Sequence, residues 1–234
     1  MDEEQAKSWV KDKANQQRVI DSILKTTPAK KTKLAIFMAG IPGAGKTEFV
    51  QNSRSEVLKS MVVIEHDQLV VYIEGYSPEN YYVFRKAGSV LVTRLFNECL
   101  KLGLSFIFYG TLSHDRGKRN IQKCINKGFA VLVIYIYQDA HSAWQLTKDR
   151  ELVKKRSIEK DGFIKTCQSI NKNLHDIFQT FHKSDEFTFW IIKKNGAPGM
   201  ESSELVIYDH QENVGNVKEI ESVLDGEYNL EEID

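Results

Sequence analysis

Lys46 and Thr47 close a pattern whose spacing points to phosphate chemistry. Gly40, Gly45, Lys46 and Thr47 fit G-x-x-x-x-G-K-S/T, with Ile41, Pro42, Gly43 and Ala44 between them. A triphosphate carries several negative charges that need many donors at short range. Backbone N–H groups of a curled loop can converge on one centre, and glycines let the chain approach without a Cβ in the way. A following helix adds its unpaired N-terminal N–H groups and its positive dipole end. In this reading residues 40–47 bind a nucleotide, ATP or GTP. Lys46 reaches the β- and γ-phosphates, and the Thr47 hydroxyl sits on Mg²⁺. The structural alternative is a plain glycine turn between a core strand and a helix. Phosphoryl transfer to an alcohol would also need a base, and cations over the moving phosphate. Asp67 is the best placed carboxylate, and Arg150 and Arg156 are the candidate cations. Asp67 serves equally as the N-cap of a helix from Gln68, and the two arginines equally as part of a solvated basic helix face.

Such residues need elements to hold them. Residues 34–39 (LAIFMA) form an uncharged apolar run, as a strand buried on both faces should, and residues 46–58 start a helix. Residues 61–65 (MVVIE) read as a second strand ending at His66-Asp67, which puts Asp67 on the edge of the sheet where ligands bind. Ser77 and Asn80 are candidate caps for a long helix over 79–101, in which Gly88 costs about 1 kcal/mol against alanine and marks close packing. Further strands are expected at 104–109, 129–137, 187–193 and 204–208. Helices are expected at 3–25, 115–127, 140–155, 160–182 and 216–224, with a turn at 195–199. Strands spaced by helices imply an α/β fold: a mostly parallel sheet flanked by helices, with right-handed crossovers. We expect one domain over 1–234, with a core of about 30–193, an N-terminal helix over 3–25 and an antiparallel strand-and-helix addition over 194–234.

Composition narrows the setting. The 234 residues carry 32 basic and 32 acidic side chains, so bulk charge argues for neither nucleic acid nor a membrane. Cys99, Cys124 and Cys167 match no metal spacing and read as small core hydrophobes in a reducing compartment. The polar, acidic start is no signal peptide, and no apolar run approaches a membrane span, so a cytoplasmic setting is expected.

A phosphate loop does not by itself say kinase. A GTPase should carry N-K-x-D, and the near miss Asn171-Lys172-Asn173-Leu174 falls inside an amphipathic helix. A motor or transporter ATPase should end a strand in Asp-Glu. Here 104–109 ends in Tyr109, while Asp139 follows 131–137 one residue late, as a rival Mg²⁺ carboxylate whose default role is capping. A small-molecule kinase finds its parts present. A kinase for another alcohol, an antibiotic or a nucleic-acid 5′-hydroxyl end, is a second enzyme reading, the latter needing a basic groove beside the loop, and an interaction module that binds nucleotide without chemistry is the non-enzyme alternative.

The run FMAGIPGAGKTEF, then VIEHDQL, the long helix, FIFYGT, VLVIYIY and RELVKKRSIEKDGF resembles the zeta toxin family of phosphate-loop kinases over roughly residues 30–190. That resemblance implies a fold like the nucleoside and shikimate kinases. It also implies transfer of the ATP γ-phosphate to the 3′-hydroxyl of the sugar in UDP-N-acetylglucosamine, and an antitoxin partner. By the same resemblance Lys46 and Thr47 are the phosphate and Mg²⁺ groups and Asp67 is the base. Thr111 lies in the substrate-side turn, and Arg150 and Arg156 clamp the phosphate, with a shorter segment between them than the family has. The family carries Glu immediately before the Gly-Thr pair, where it contacts the sugar. This chain has Tyr109. A phenol gives one donor and a weaker acceptor, so the identity of the acceptor is the point that Tyr109 opens.

Overall fold

The computed structural model describes residues 1–27, 30–53, 55–154, 158–195, 204–231 and 233. Six strands form one sheet: β1 (Leu34–Ala39), β2 (Val62–Ile64), β3 (Phe106–Tyr109), β4 (Ala130–Tyr137), β5 (Phe187–Asn195) and β6 (Glu204–Asp209). Their order is β2-β3-β1-β4-β5-β6; every neighbouring pair is parallel except β5 with β6. β1 is central. Its residues are uncharged because both faces are covered, and Ala35 lies level with Phe106 on one side and Val131 on the other. Phe37, Phe96, Phe106 and Phe108 pack ring to ring across β1, β3 and the helix above them, at centroid distances of 5.6–6.1 Å.

The chain leaves β1 toward β2 on one side and leaves β3 toward β4 on the other. The carboxyl ends of two adjacent strands therefore part, and an open α/β sheet leaves a crevice at such a reversal.

Ten helices are described: α1 (Glu3–Lys11), α2 (Lys13–Thr26), α3 (Lys46–Asn52), α4 (Glu56–Lys59), α5 (His66–Val70), α6 (Tyr81–Leu102), α7 (Arg116–Asn126), α8 (Ala140–Lys154), α9 (Lys160–Phe181) and α10 (Val214–Asp225). Two differ from the sequence expectation. The helix over 3–25 is two helices, because Asp12 takes an extended ψ of 119° and its carboxylate caps α2 through the Ala14 N–H at 2.7 Å. Both pieces pack on α6, outside the sheet. The helix after the loop stops at Asn52 and resumes at Glu56, a Ser-rich stretch where side-chain oxygens compete with the helical backbone. Ser77 and Asn80 do organise the start of α6: Asn80 Oδ1 accepts from the Ser77 N–H at 2.8 Å, over a short 3₁₀ turn.

The C-terminal strand and helix are tied into the body. β6 pairs antiparallel with β5, and α10 lies on α9 and β6. The Tyr135 hydroxyl, buried on β4, donates to Asn171 Oδ1 on α9 and lies 2.7 Å from the Tyr228 hydroxyl. The Asn171 amide donates to the carbonyls of Val223 and Gly226. The three cysteines are buried and unpaired, and burial pushes each thiol up to about 12. No described helix is long and apolar enough to cross a membrane. The expected turn at 195–199 lies outside the described residues beyond Asn195.

Candidate active site

The loop between β1 and α3 is shaped by its glycines. Gly40, Gly43 and Gly45 have φ of +150°, +80° and +90°. Gly43 is also crowded: a Cβ there would lie 2.0 Å from the Ala143 carbonyl oxygen and 2.7 Å from Thr147 Oγ1, both on α8. Glycine thus lets the loop turn left-handed and lets α8 lie against it. Within the loop the Ala44 N–H bonds back to the Ile41 carbonyl at 3.2 Å, and both residues are buried. Gly45 is the left-handed residue from which α3 begins.

Lys46 curls over this loop. Its Nζ donates to the carbonyls of Gly40 at 2.7 Å and Ile41 at 2.9 Å. The side chain keeps some accessible surface, but the ammonium end is turned into the loop. Desolvation of that end, with the Arg150 charge adding to it, lowers its pKa to about 7, while Glu65 acts in the opposite sense.

Beside Lys46 opens a cavity of about 320 Å³ at the crevice between β1 and β3. The loop contributes Pro42, Gly43, Lys46 and Thr47, and the end of β2 contributes Glu65, His66 and Asp67. The end of β3 contributes Tyr109, Gly110 and Thr111; α8 contributes Thr147 and Arg150, and Ile158 closes the α8–α9 side. Lys46, Thr47, Asp67, Tyr109, Thr111 and Arg150, drawn from four separate stretches of chain, therefore share one cleft. Gly40, Ile41, Ala44 and Gly45 build the loop without lining it.

Neighbouring groups hold or tune Thr111, Arg150 and Tyr109. Thr111 Oγ1 lies 2.7 Å from Ser113 Oγ, which orients the turn after β3. Arg150 makes an ion pair with Glu48, bridging α8 to α3. Burial, with the Glu65 charge adding to it, pushes the Tyr109 hydroxyl up to about 12, so it stays a hydrogen-bond donor. The α8–α9 junction is stitched by Glu151, whose carboxylate accepts from the Ile158 N–H and pairs with Lys148. Arg156 lies outside the described residues.

Asp67 falls in the first turn of α5, with Glu65 at the N-cap position and no side-chain cap there. It also borders a second hollow of about 600 Å³ beside α2 and β2, which contains none of the loop. The smaller cavity is the one in which anion donors and carboxylates meet.

Asp139 is not in the cleft. Its Oδ1 accepts from the Ser142 N–H at 2.8 Å at the start of α8, which is the capping role. Asn171, first residue of the near-miss guanine motif, is buried in α9 with its amide committed to two backbone carbonyls.

Among the cleft residues not singled out from the sequence are Glu65, His66, Thr147 and Ile158. Glu65 directly follows β2 at the N-cap position of α5, so its signal was a carboxylate just past a strand end, the same signal that picked out Asp67. Thr147 had no signal, since its place depends on α8 crossing the loop. Among the described residues no group of three or more His, Cys, Asp or Glu forms a metal site. Mg²⁺ bound with a nucleotide does not require one, because it takes one or two protein oxygens with phosphates and water, and the hard oxygens of Thr47, Glu65 and Asp67 line the same cleft.

The zeta toxin family model matches residues 18–212. The chain belongs to the zeta toxin family. No curated protein matches it. Among solved structures, this zeta toxin family chain resembles one from the PezAT chromosomal toxin–antitoxin system of Streptococcus pneumoniae. The TM-score is 0.67 and the identity 19%, over 94% of this chain and 91% of that one. It also resembles a chain from an AvrRxo1-ORF1:-ORF2 structure with ATP, at TM-score 0.70 and 13% identity, over 90% of this chain and 71% of that one. At such identities the likeness is one of fold.

Proposed function

We propose that this zeta toxin family chain is a kinase that moves the γ-phosphoryl group of ATP, or of GTP, to a sugar hydroxyl of UDP-N-acetylglucosamine or a related nucleotide sugar. The observation that carries the proposal is the shared cleft, with an anion-binding loop on one wall and Asp67, Tyr109 and Thr111 on the other. The family and the ATP-containing structure of a similar fold support it.

The loop amides and Lys46 hold a polyphosphate, and Lys46 exchanges its two carbonyl acceptors for phosphate oxygens. Thr47, with Glu65 nearby, offers oxygens to Mg²⁺. The bound nucleotide and metal supply the transferable phosphoryl group and neutralise its charge. Arg150, steadied by Glu48, faces the same space, and Arg156 is assigned the second clamp position from the family pattern. Asp67 accepts the proton of the attacking hydroxyl. Thr111 and the Tyr109 hydroxyl orient the acceptor; Tyr109 donates where a carboxylate would accept, which selects an acceptor presenting a carbonyl or hydroxyl lone pair at that point. We also infer a partner protein that covers the cleft, in keeping with the toxin–antitoxin system to which one similar structure belongs.

Incubation with ATP, Mg²⁺ and a panel of nucleotide sugars, followed by mass spectrometry, should reveal a product heavier by one phosphoryl group. Asp67→Asn should abolish transfer with nucleotide affinity nearly unchanged. Intact ATP binding with no product from any acceptor would leave the chain as a nucleotide-binding module.

A further inference from the structure

Between the two cleft carboxylates stands His66, at the edge of the cleft, with its ring lodged against α6. The His66 ring lies on one face of α6, formed by Tyr81, Arg85 and Gly88 at helical spacing. His66 Nε2 is 2.9 Å from the Arg85 carbonyl oxygen. A carbonyl only accepts, so Nε2 carries a proton, and in the neutral ring Nδ1 presents a lone pair. The Tyr81 hydroxyl, 3.4 Å away, faces that lone pair, and the two rings meet edge to face at 5.5 Å.

The ring fits only because residue 88 is glycine. A Cβ there would stand 2.6 Å from Nε2 and 2.9 Å from Cε1. Gly88 has an ordinary helical φ, so the helix itself does not require it and gives up propensity by having it. Its place is explained by the imidazole. Asp67 is the next residue, and its Oδ1 lies 3.7 Å from Nδ1, too far for a hydrogen bond, so the two are linked through the backbone they share.

We propose that His66 is a positioning residue: seated in the socket of Tyr81, Arg85 and Gly88, it fixes the β2–α5 junction so that the Asp67 carboxylate stands in the cleft at the distance transfer requires. The inference rests on the phosphoryl-transfer reading for its consequence, and on the socket alone for its geometry. A misplacement of about 1 Å in a reacting group can cost on the order of 100-fold in rate, so a carboxylate one residue inside a five-residue helix profits from an external anchor.

The test compares His66→Ala, His66→Gln, Gly88→Ala and the double variant Gly88→Ala/His66→Ala. Three readouts are taken: kcat for UDP-N-acetylglucosamine phosphorylation, the dissociation constant of a non-hydrolysable ATP analogue, and the ¹³C titration of the Asp67 carboxyl carbon. Thermal midpoints show which variants are folded. His66→Ala should lower kcat by about tenfold or more with nucleotide affinity within about twofold. His66→Gln, whose Nε2 amide can still reach the Arg85 carbonyl, should recover most of the loss. Gly88→Ala should match His66→Ala, and should add nothing in the His66→Ala background. The proposal is overturned by an unchanged kcat and an unmoved Asp67 titration in His66→Ala, or by equal cost of Gly88→Ala in both backgrounds. If Gly88→Ala does not fold, the Ala and Gln variants at 66 decide. If the wild type phosphorylates no nucleotide sugar, the transfer reading fails separately, and the Asp67 titration in His66→Ala still decides the positioning role.

Discussion

Lys46 should take up a proton when a nucleotide binds. Without phosphate its ammonium is turned toward two neutral carbonyls, and desolvation with the neighbouring Arg150 charge lowers its pKa from 10.5 to about 7. The sign of the stability effect follows. Between pH 7 and 10.5 the unfolded chain binds more protons at this site than the folded chain, so stability rises with pH across that window. Below it, holding Lys46 charged costs on the order of 3 kcal/mol, allowing for the accessible part of the side chain. A triphosphate brings negative charge to the same amine and returns its pKa toward the ordinary value. Binding should therefore take up about half a proton at pH 7 and about 0.9 at pH 8, and affinity should fall roughly 50-fold from pH 7 to pH 9. Calorimetry with a non-hydrolysable ATP analogue in two buffers of different ionisation enthalpy measures the uptake directly. Lys46→Met should bind more weakly and take up none. No uptake by the wild type at pH 8, or a flat affinity from pH 7 to 9, would refute the reasoning that the ammonium is desolvated and waits for phosphate.

Gly43→Ala should lower the thermal midpoint and weaken nucleotide binding, since its Cβ would meet the Ala143 carbonyl oxygen at 2.0 Å with φ at +80°; overpacking and left-handed strain together amount to about 2–5 kcal/mol. Tyr109→Phe removes a donor facing the cleft, so the acceptor KM should rise by about tenfold while ATP affinity stays level; an unchanged KM would remove Tyr109 from acceptor recognition. Asn171→Ala strips partners from the Tyr135 hydroxyl and from the Val223 and Gly226 carbonyls. Urea unfolding should show a loss of about 2–4 kcal/mol, with the C-terminal segment becoming protease-sensitive first.

The local signals carried far. An uncharged six-residue run cannot face water on either side, so β1 had to be central, and a glycine loop opening into a helix had to follow. Asp67 at a strand end, Thr111 after β3 and Arg150 on a late helix were each readable because strand ends and helix faces are set by period and punctuation. Other features were not readable, because rival local roles compete for one side chain or because the partners lie far apart in the chain. Asp12 splits one helical pattern into two by winning its own cap. Asp139 was a metal candidate until α8 claimed its carboxylate. Glu48 meets Arg150 across 102 positions and Tyr135 meets Tyr228 across 93. Gly88 looked like a weakness in a long helix; it is the floor of the His66 socket, 22 residues away in sequence. Periodicity records which way a side chain faces along its own element. Which element lies opposite is settled by packing, and so the sequence alone could say that a glycine loop joins β1 to α3, while the crossing of α8 over Gly43 and of α6 over His66 decided what surrounds it.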